Sequence, residues 1–218
     1  MCVQYATRGV YTFCMCPGGE VMAAASEENG VAVNGMSYHA RDGKNANSAV
    51  LATVFREDYG NTPRDAIAFQ RKIEHAAFLA AGSDYRAPIV TVGDFLAEQA
   101  RTEPSRILPS YREGRVTVAS PDSYLPKIYT DAIRRALTRF GRTLTGFDAP
   151  DAILTGAETR TSAPVRILRT EERTAVGYEN IYPADEGAGY AGGITSAAVD
   201  GVRTALALMA KYKPYGNS

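Results

Sequence analysis

The 218-residue sequence contains no tryptophan, two histidines and three cysteines, and its charges of opposite sign cancel. Each scarcity excludes something. The cysteines (Cys2, Cys14 and Cys16) are odd in number and sit at one end, which is not a disulfide framework and fits a reducing cytoplasm. A zinc centre needs four ligands at suitable spacing, and only Cys2, His39 and His75 remain to complete one beside Cys14 and Cys16; no metal site is expected. With 24 basic and 24 acidic residues, neither a nucleic-acid surface nor an acidic tail is expected. No apolar run approaches the roughly 18 residues of a membrane span. The start, Met1 to Tyr5, has neither the basic region nor the apolar core of a signal peptide. Internal repeats and low-complexity tracts are also missing. These absences predict a soluble cytoplasmic protein.

What is present falls into three stretches: a β-rich segment over 1–56, a helical one over 57–150, and a closing one over 151–218. In the first, Val10–Phe13 reads as a strand that ends at the turn chemistry of Pro17, Gly18 and Gly19. Glu20–Ala25 and Gly30–Asn34 read as strands joined at Glu28-Asn29-Gly30, and Asn47–Phe55 as a buried strand. In the second, Thr62 caps a helix that carries Pro63 in its first turn and stops at Gly82. A short helix is expected from Thr91 to Leu96. A third runs from about Asp122–Pro126 to a stop at Gly141, with Arg134, Arg135, Arg139 and Arg142 on one face. That face reads as solvated, with an anion or partner site as the sharper alternative. In the third stretch Ala152–Leu154, Val165–Leu168 and Asn180–Ala184 read as strands, and Ile194–Lys211 as a helix.

Several clusters carry chemistry. Cys14 and Cys16 share one face if the strand is extended, about 7 Å apart, at the long limit for a disulfide. They are either buried and inert or thiols that face a redox centre. Asn34–Ser48 is a polar loop in which His39 beside Asp42 has the makings of a general acid or base, and Asn45 adds hydrogen-bonding capacity. The alternative is a loop whose Asn and Asp side chains satisfy their own turns. Arg160 and Arg166 in Glu158–Arg166 are suited either to carboxylate or phosphate oxygens or to a salt bridge with Asp185-Glu186.

The stretch Gly187-Ala188-Gly189-Tyr190-Ala191-Gly192 spells GxGxxG. A dinucleotide fingerprint of this kind opens a βαβ unit and needs a second strand after its helix. Here the helix runs into Lys213-Pro214 near the end of the sequence. The match is therefore either a tight packing turn or the closing strand–turn–helix of a flavoprotein, which brings a helix N-terminus to the flavin.

The wording of the chain resembles one family. YPADEGAGYAGGITSAAVDG (Tyr182–Gly201), Tyr11–Ser48 and Glu158–Arg169 resemble the signatures of uncharacterised FAD-dependent, or NAD(FAD)-utilising, dehydrogenases. The resemblance implies an α+β chain, a β-rich segment plus helical block inserted in, and followed by, the strand–helix return of a glutathione-reductase-like FAD-binding domain. It implies FAD as cofactor, NAD(P)H as electron donor of the intact protein, and an unidentified small-molecule substrate between Cys14–Asn47 and the flavin. By the same resemblance Glu186 meets the ribityl hydroxyls, while Gly187, Gly189, Gly192, Gly193, Ile194, Thr195 and Arg160 contribute to the cofactor site. The catalytic candidates are Cys14, Cys16, His39 and Asn45. The sequence departs from the family pattern at Asp185, where glycine is usual before the glutamate. The resemblance further implies a missing N-terminal FAD-binding half, without which FAD binds weakly or not at all and turnover is absent. The competing expectation is a cofactor-less interaction module that self-pairs, for example as a homodimer.

Overall fold

The computed structural model describes residues 8–212 and the backbone of residues 2–5; the Cys2 thiol and Lys213–Ser218 lie outside the described residues. The chain is α+β, and its Cα positions divide into two units. One comprises Met1–Gly60 and Ala68–Thr159, the other Asn61–Ile67 and Arg160–Ser218.

The first unit holds all eight strands among the described residues. Strands β1 (Cys2–Tyr5), β2 (Arg8–Cys16) and β5 (Asn47–Ala52) form an antiparallel sheet in the order β1-β2-β5. Strands β3 (Gly19–Ala23) and β4 (Val33–Ser37) pair as a hairpin, with Glu20 opposite Met36 and Met22 opposite Asn34. The third sheet centres on β6 (Ala87–Thr91), parallel to β7 (Val116–Val118) and antiparallel to β8 (Ile153–Thr155). Every residue of β6 is buried, so its sequence shows no alternation, and the strand is invisible to a period-two reading.

Two long helices organise the cores. Helix α2 (Pro63–Ala80), which follows the short α1 (Arg56–Tyr59), starts with Thr62: its hydroxyl accepts from the Asp65 N–H at 3.2 Å, and its own N–H donates to the Asp65 carboxylate at 2.8 Å. Ile73, Ala77 and Phe78 of α2 pack against Val31, Val33, Ala87 and Ala157. Helix α4 (Lys127–Thr143), beyond the short α3 (Val92–Leu96), buries Ala132, Ala136 and Phe140 on Val10, and Leu137 on Val90 and Phe95. Gly141 lies inside α4 rather than ending it. The Asp148 carboxylate occupies the space a Cβ would need there, within about 2.0–2.2 Å of it. Arg134 also departs from the expected solvated face. It is buried, its Nε donates to the Phe95 carbonyl at 2.9 Å, and its guanidinium pairs with Asp122 and with Asp131.

In the second unit, α5 (Ile194–Lys211) has the bounds its pattern predicts. The two strands expected before it are absent: residues 160–193 are turns and coil, with a single bridge between Arg169 and Ala175. A strand needs a neighbour for its N–H and C=O groups. Among the described residues, Val165–Leu168 and Asn180–Ala184 have no such neighbouring strand. No helix among the described residues is long and apolar enough to cross a membrane.

Candidate functional site

Residues 160–193 have almost no regular structure, yet they are tightly tied to α5 by one carboxylate. Asp200, in the second turn of α5 and 9% exposed, accepts from Arg169 Nη1 at 2.9 Å and Nη2 at 2.6 Å, from Arg173 Nη1 at 2.9 Å and from the Asp185 N–H at 3.0 Å. The bidentate Arg169 bond holds the Asp200 carboxyl well below the usual carboxylate range. Arg173 also donates to the Thr204 hydroxyl, one turn further along α5, at 3.1 Å.

From this anchor the glycine turn is built outward. Arg169 Nη1 donates to the Pro183 carbonyl at 3.0 Å, and its guanidinium carbon lies 3.6 Å from the Tyr190 ring centre. Arg166 lies over the same ring at 4.9 Å and donates to the Gly189 carbonyl at 2.8 Å. The turn closes on itself through Gly189 N–H to Glu186 O at 2.9 Å and Tyr190 N–H to Asp185 O at 3.1 Å. Gly189 requires glycine twice over: its φ is +82°, and a Cβ would lie 2.7 Å from the Val165 carbonyl oxygen. Asp185, at the position where the family pattern has glycine, adopts φ 72°, and its carboxylate accepts from the following N–H of Glu186. A short side chain that bonds its own backbone is how a non-glycine residue occupies this region.

The start of α5 is open. Gly193 is its N-cap and provides no side-chain cap, and a Cβ at Gly187 or Gly192 would meet nothing within 4 Å. Glu186 is half-buried, while Gly187, Gly192, Gly193, Ile194 and Thr195 are exposed. The backbone donors of the first helical turn therefore face accessible space. Arg160 is half-buried. Arg166 is engaged with the Gly189 carbonyl and the Tyr190 ring, and forms no ion pair with Asp185-Glu186.

The first-unit candidates belong to a separate construction. A bulge between Phe13 and Cys16 breaks the alternation of β2, with Cys14 at φ 52°; neither cysteine is in a disulfide, and Cys14 is exposed while Cys16 is half-buried. The common-face geometry expected of an unbroken strand therefore does not form. The polar loop is stacked against the Pro17–Gly19 turn: a Cβ on Gly18 would lie 2.3 Å from the Arg41 carbonyl, and one on Gly43 2.5 Å from Gly18 O. Asn45 helps build this loop, its carbonyl accepting from Gly19 N–H and its amide donating to Leu108 O, both at 2.8 Å. His39 and Asp42 are exposed at its tip.

Two features escaped the sequence reading. The Arg169–Asp200 pair spans 31 positions, although a lone carboxylate in the apolar run Ala197–Leu208 signals a buried partner. Glu158 follows β8, and burial pushes its carboxyl up to about 7. Among the described residues, no group of three or more His, Cys, Asp or Glu side chains gathers as a metal site.

A protein of Clostridium beijerinckii, described only as uncharacterised, is 47% identical over 206 residues, which is 94% of this chain and 38% of that protein. The chain thus spans well under half the length of this relative. The sequence profile of the family described as "FAD-dependent protein, C-terminal domain-like" matches residues 1–161, ending two positions past the last residue of the first unit. That match covers most of the sequence, and the chain belongs to this family of FAD-dependent proteins.

Proposed function

We propose that residues 1–218 are the substrate-side and C-terminal part of an FAD-dependent oxidoreductase of the dehydrogenase type. In this reading other polypeptide supplies the first dinucleotide-binding unit, and NAD(P)H is the electron donor of the whole protein. One observation carries the proposal: α5 is inverted. Its buried residues are polar, Asp200 and Thr204. Val199, Val202, Leu206 and Met209 form a stripe on the opposite side at 100° per residue, the last three 60%, 59% and 60% exposed. Each such side chain is worth roughly 1.5–3 kcal/mol when fully buried, so an apolar stripe of this length marks an interface. A relative more than twice as long is consistent with polypeptide to cover it.

The residues at the open end of α5 fit one edge of a flavin. Their uncapped N–H groups and dipole suit an electron-rich ring edge, and Gly187 and Gly192 leave room beside them. When bound, FAD supplies the two-electron hydride chemistry. In this assignment the N–H groups of Gly193, Ile194 and Thr195 hold developing negative charge. Glu186 would accept from the cofactor's hydroxyls, Gly189 keeps the turn closed, and Arg160 would meet cofactor oxygens. In the same reading His39 would hold or move a proton on the substrate side, Asn45 would fix the loop, and Cys14 and Cys16 would border the substrate. The protein is cytoplasmic in this reading.

The stripe's spacing of three, four and three is also that of a two-helix seam, which favours a second reading: a cofactor-less module that self-pairs through α5. Leu206→Glu with Met209→Glu separates the two. In a full-length family member the pair should abolish flavin retention, and residues 1–218 should remain monomeric with or without it. A dimer of 1–218 that dissociates on this substitution, with flavin retention in the long protein unchanged, would establish the module instead.

A further inference from the structure

We propose that the exposed side of α4 is a binding site for a phosphorylated small molecule. Arg135, Thr138, Arg139 and Arg142 line a groove of about 280 Å³ on this helix, in the first unit. Positions 135, 139 and 142 lie on adjacent turns of one face, where like charges at this spacing destabilise a helix. Two carboxylates near the helix are committed elsewhere. Asp131 pairs with Lys127 at 2.9 Å and with Arg134 at 3.3 Å, and Asp122 pairs with Arg134. Asp148 packs against Gly141 and forms no ion pair among the described residues. Arg139 and Arg142 likewise have no carboxylate partner among the described residues. In a chain of zero net charge, Arg139 and Arg142 thus concentrate positive charge on one exposed face of this helix.

The helix beneath the groove is packed on its other side. Ala136, Leu137 and Phe140, buried on its other side, fix the backbone from which the arginines project. Guanidinium groups offer paired N–H donors matched to phosphate oxygens, and the Thr138 hydroxyl adds a smaller polar group between them. A groove of this volume accommodates a phosphate or diphosphate group. No aromatic ring lines it, so it offers no platform for stacked bases.

The test is titration of residues 1–218 with inorganic pyrophosphate at low salt, followed by calorimetry and by the Arg Nε–Hε resonances. The expected result is saturable binding that falls at least about tenfold in Arg139→Gln with Arg142→Gln, and weakens with salt. The melting temperature of that variant should be unchanged or higher, since exposed like charges are removed. ADP that binds more tightly than pyrophosphate identifies a nucleotide ligand; equal binding identifies a free anion. Absence of saturable pyrophosphate binding, binding indifferent to the substitutions, or binding confined to a DNA duplex or an acidic peptide would overturn the proposal.

Discussion

Replacing Asp200 by asparagine tests how the glycine turn is held. The carboxylate receives four donors: three from Arg169 and Arg173, and the Asp185 N–H. Asparagine keeps the shape, removes the charge and turns one oxygen into an NH₂ group that faces guanidinium donors. Breaking a buried ion pair from one side costs about 3–5 kcal/mol, because the partner charge stays behind. Arg169 and Arg173 are 10% and 19% exposed at the side chain, so some solvent reaches them and the lower figure applies. A loss of about 3 kcal/mol corresponds to local opening that is roughly 150-fold more frequent. Amide hydrogen exchange reads this directly at Gly189 and Tyr190, whose N–H groups close the turn, and at Ile167, bonded to Ala188 O at 3.2 Å. Protection at these amides should drop by about two orders of magnitude, while first-unit amides such as Ile89 stay as they are. Protection of the turn within threefold of wild type would refute the claim that Asp200 holds it.

Other expectations follow from the same geometry. Because the Asp200 carboxyl sits below its usual range, its contribution is full above the unfolded value of about 4 and is lost as pH falls through the folded value; turn protection should collapse only in strong acid. Glu158 works in the opposite direction. Its folded value is about 7 against an ordinary 4.5, so stability should fall, on the order of 3 kcal/mol, as pH rises from 4.5 to 7. Urea midpoints across that range should show the slope in the wild type and lose it in Glu158→Gln; a slope retained in the variant would reject the assignment. Gly189→Ala should cost about 1–3 kcal/mol through its positive φ and the Val165 carbonyl, measured by chemical denaturation. Gly201→Ala, inside α5 with nothing within 4 Å of the new methyl, should instead stabilise by about 0.5–1 kcal/mol in the same assay.

Much of the architecture could be read in the chain where local signals suffice. Helix α2 announces itself through Thr62, Pro63 and Gly82, which has φ +98°, and α5 through its apolar repeat, so both fall where their patterns place them. Strands β2 to β5 follow their turn residues, although β4 begins at Val33 rather than Gly30 and β5 ends at Ala52 rather than Phe55. Strand β6 was illegible because it is buried on both faces, and β7 because three residues carry too little pattern. Gly141 looked like a helix stop because local sequence cannot reveal that Asp148 would pack against it. The same limit hid the partners of Arg134 and Asp200, both set by tertiary contacts. The glycine turn was visible, and its demand for positive φ at 185 was foreseeable from the departure at Asp185. The grip of Arg169 and Tyr190 on it was not.

The most direct measurement compares flavin retention in two purified proteins: residues 1–218 alone, and the same residues preceded by the N-terminal region of a long family member. Visible absorbance after desalting should show near-stoichiometric flavin in the long protein and little or none in the short one. Near-stoichiometric flavin in residues 1–218 alone, or none in the long protein, would contradict the account.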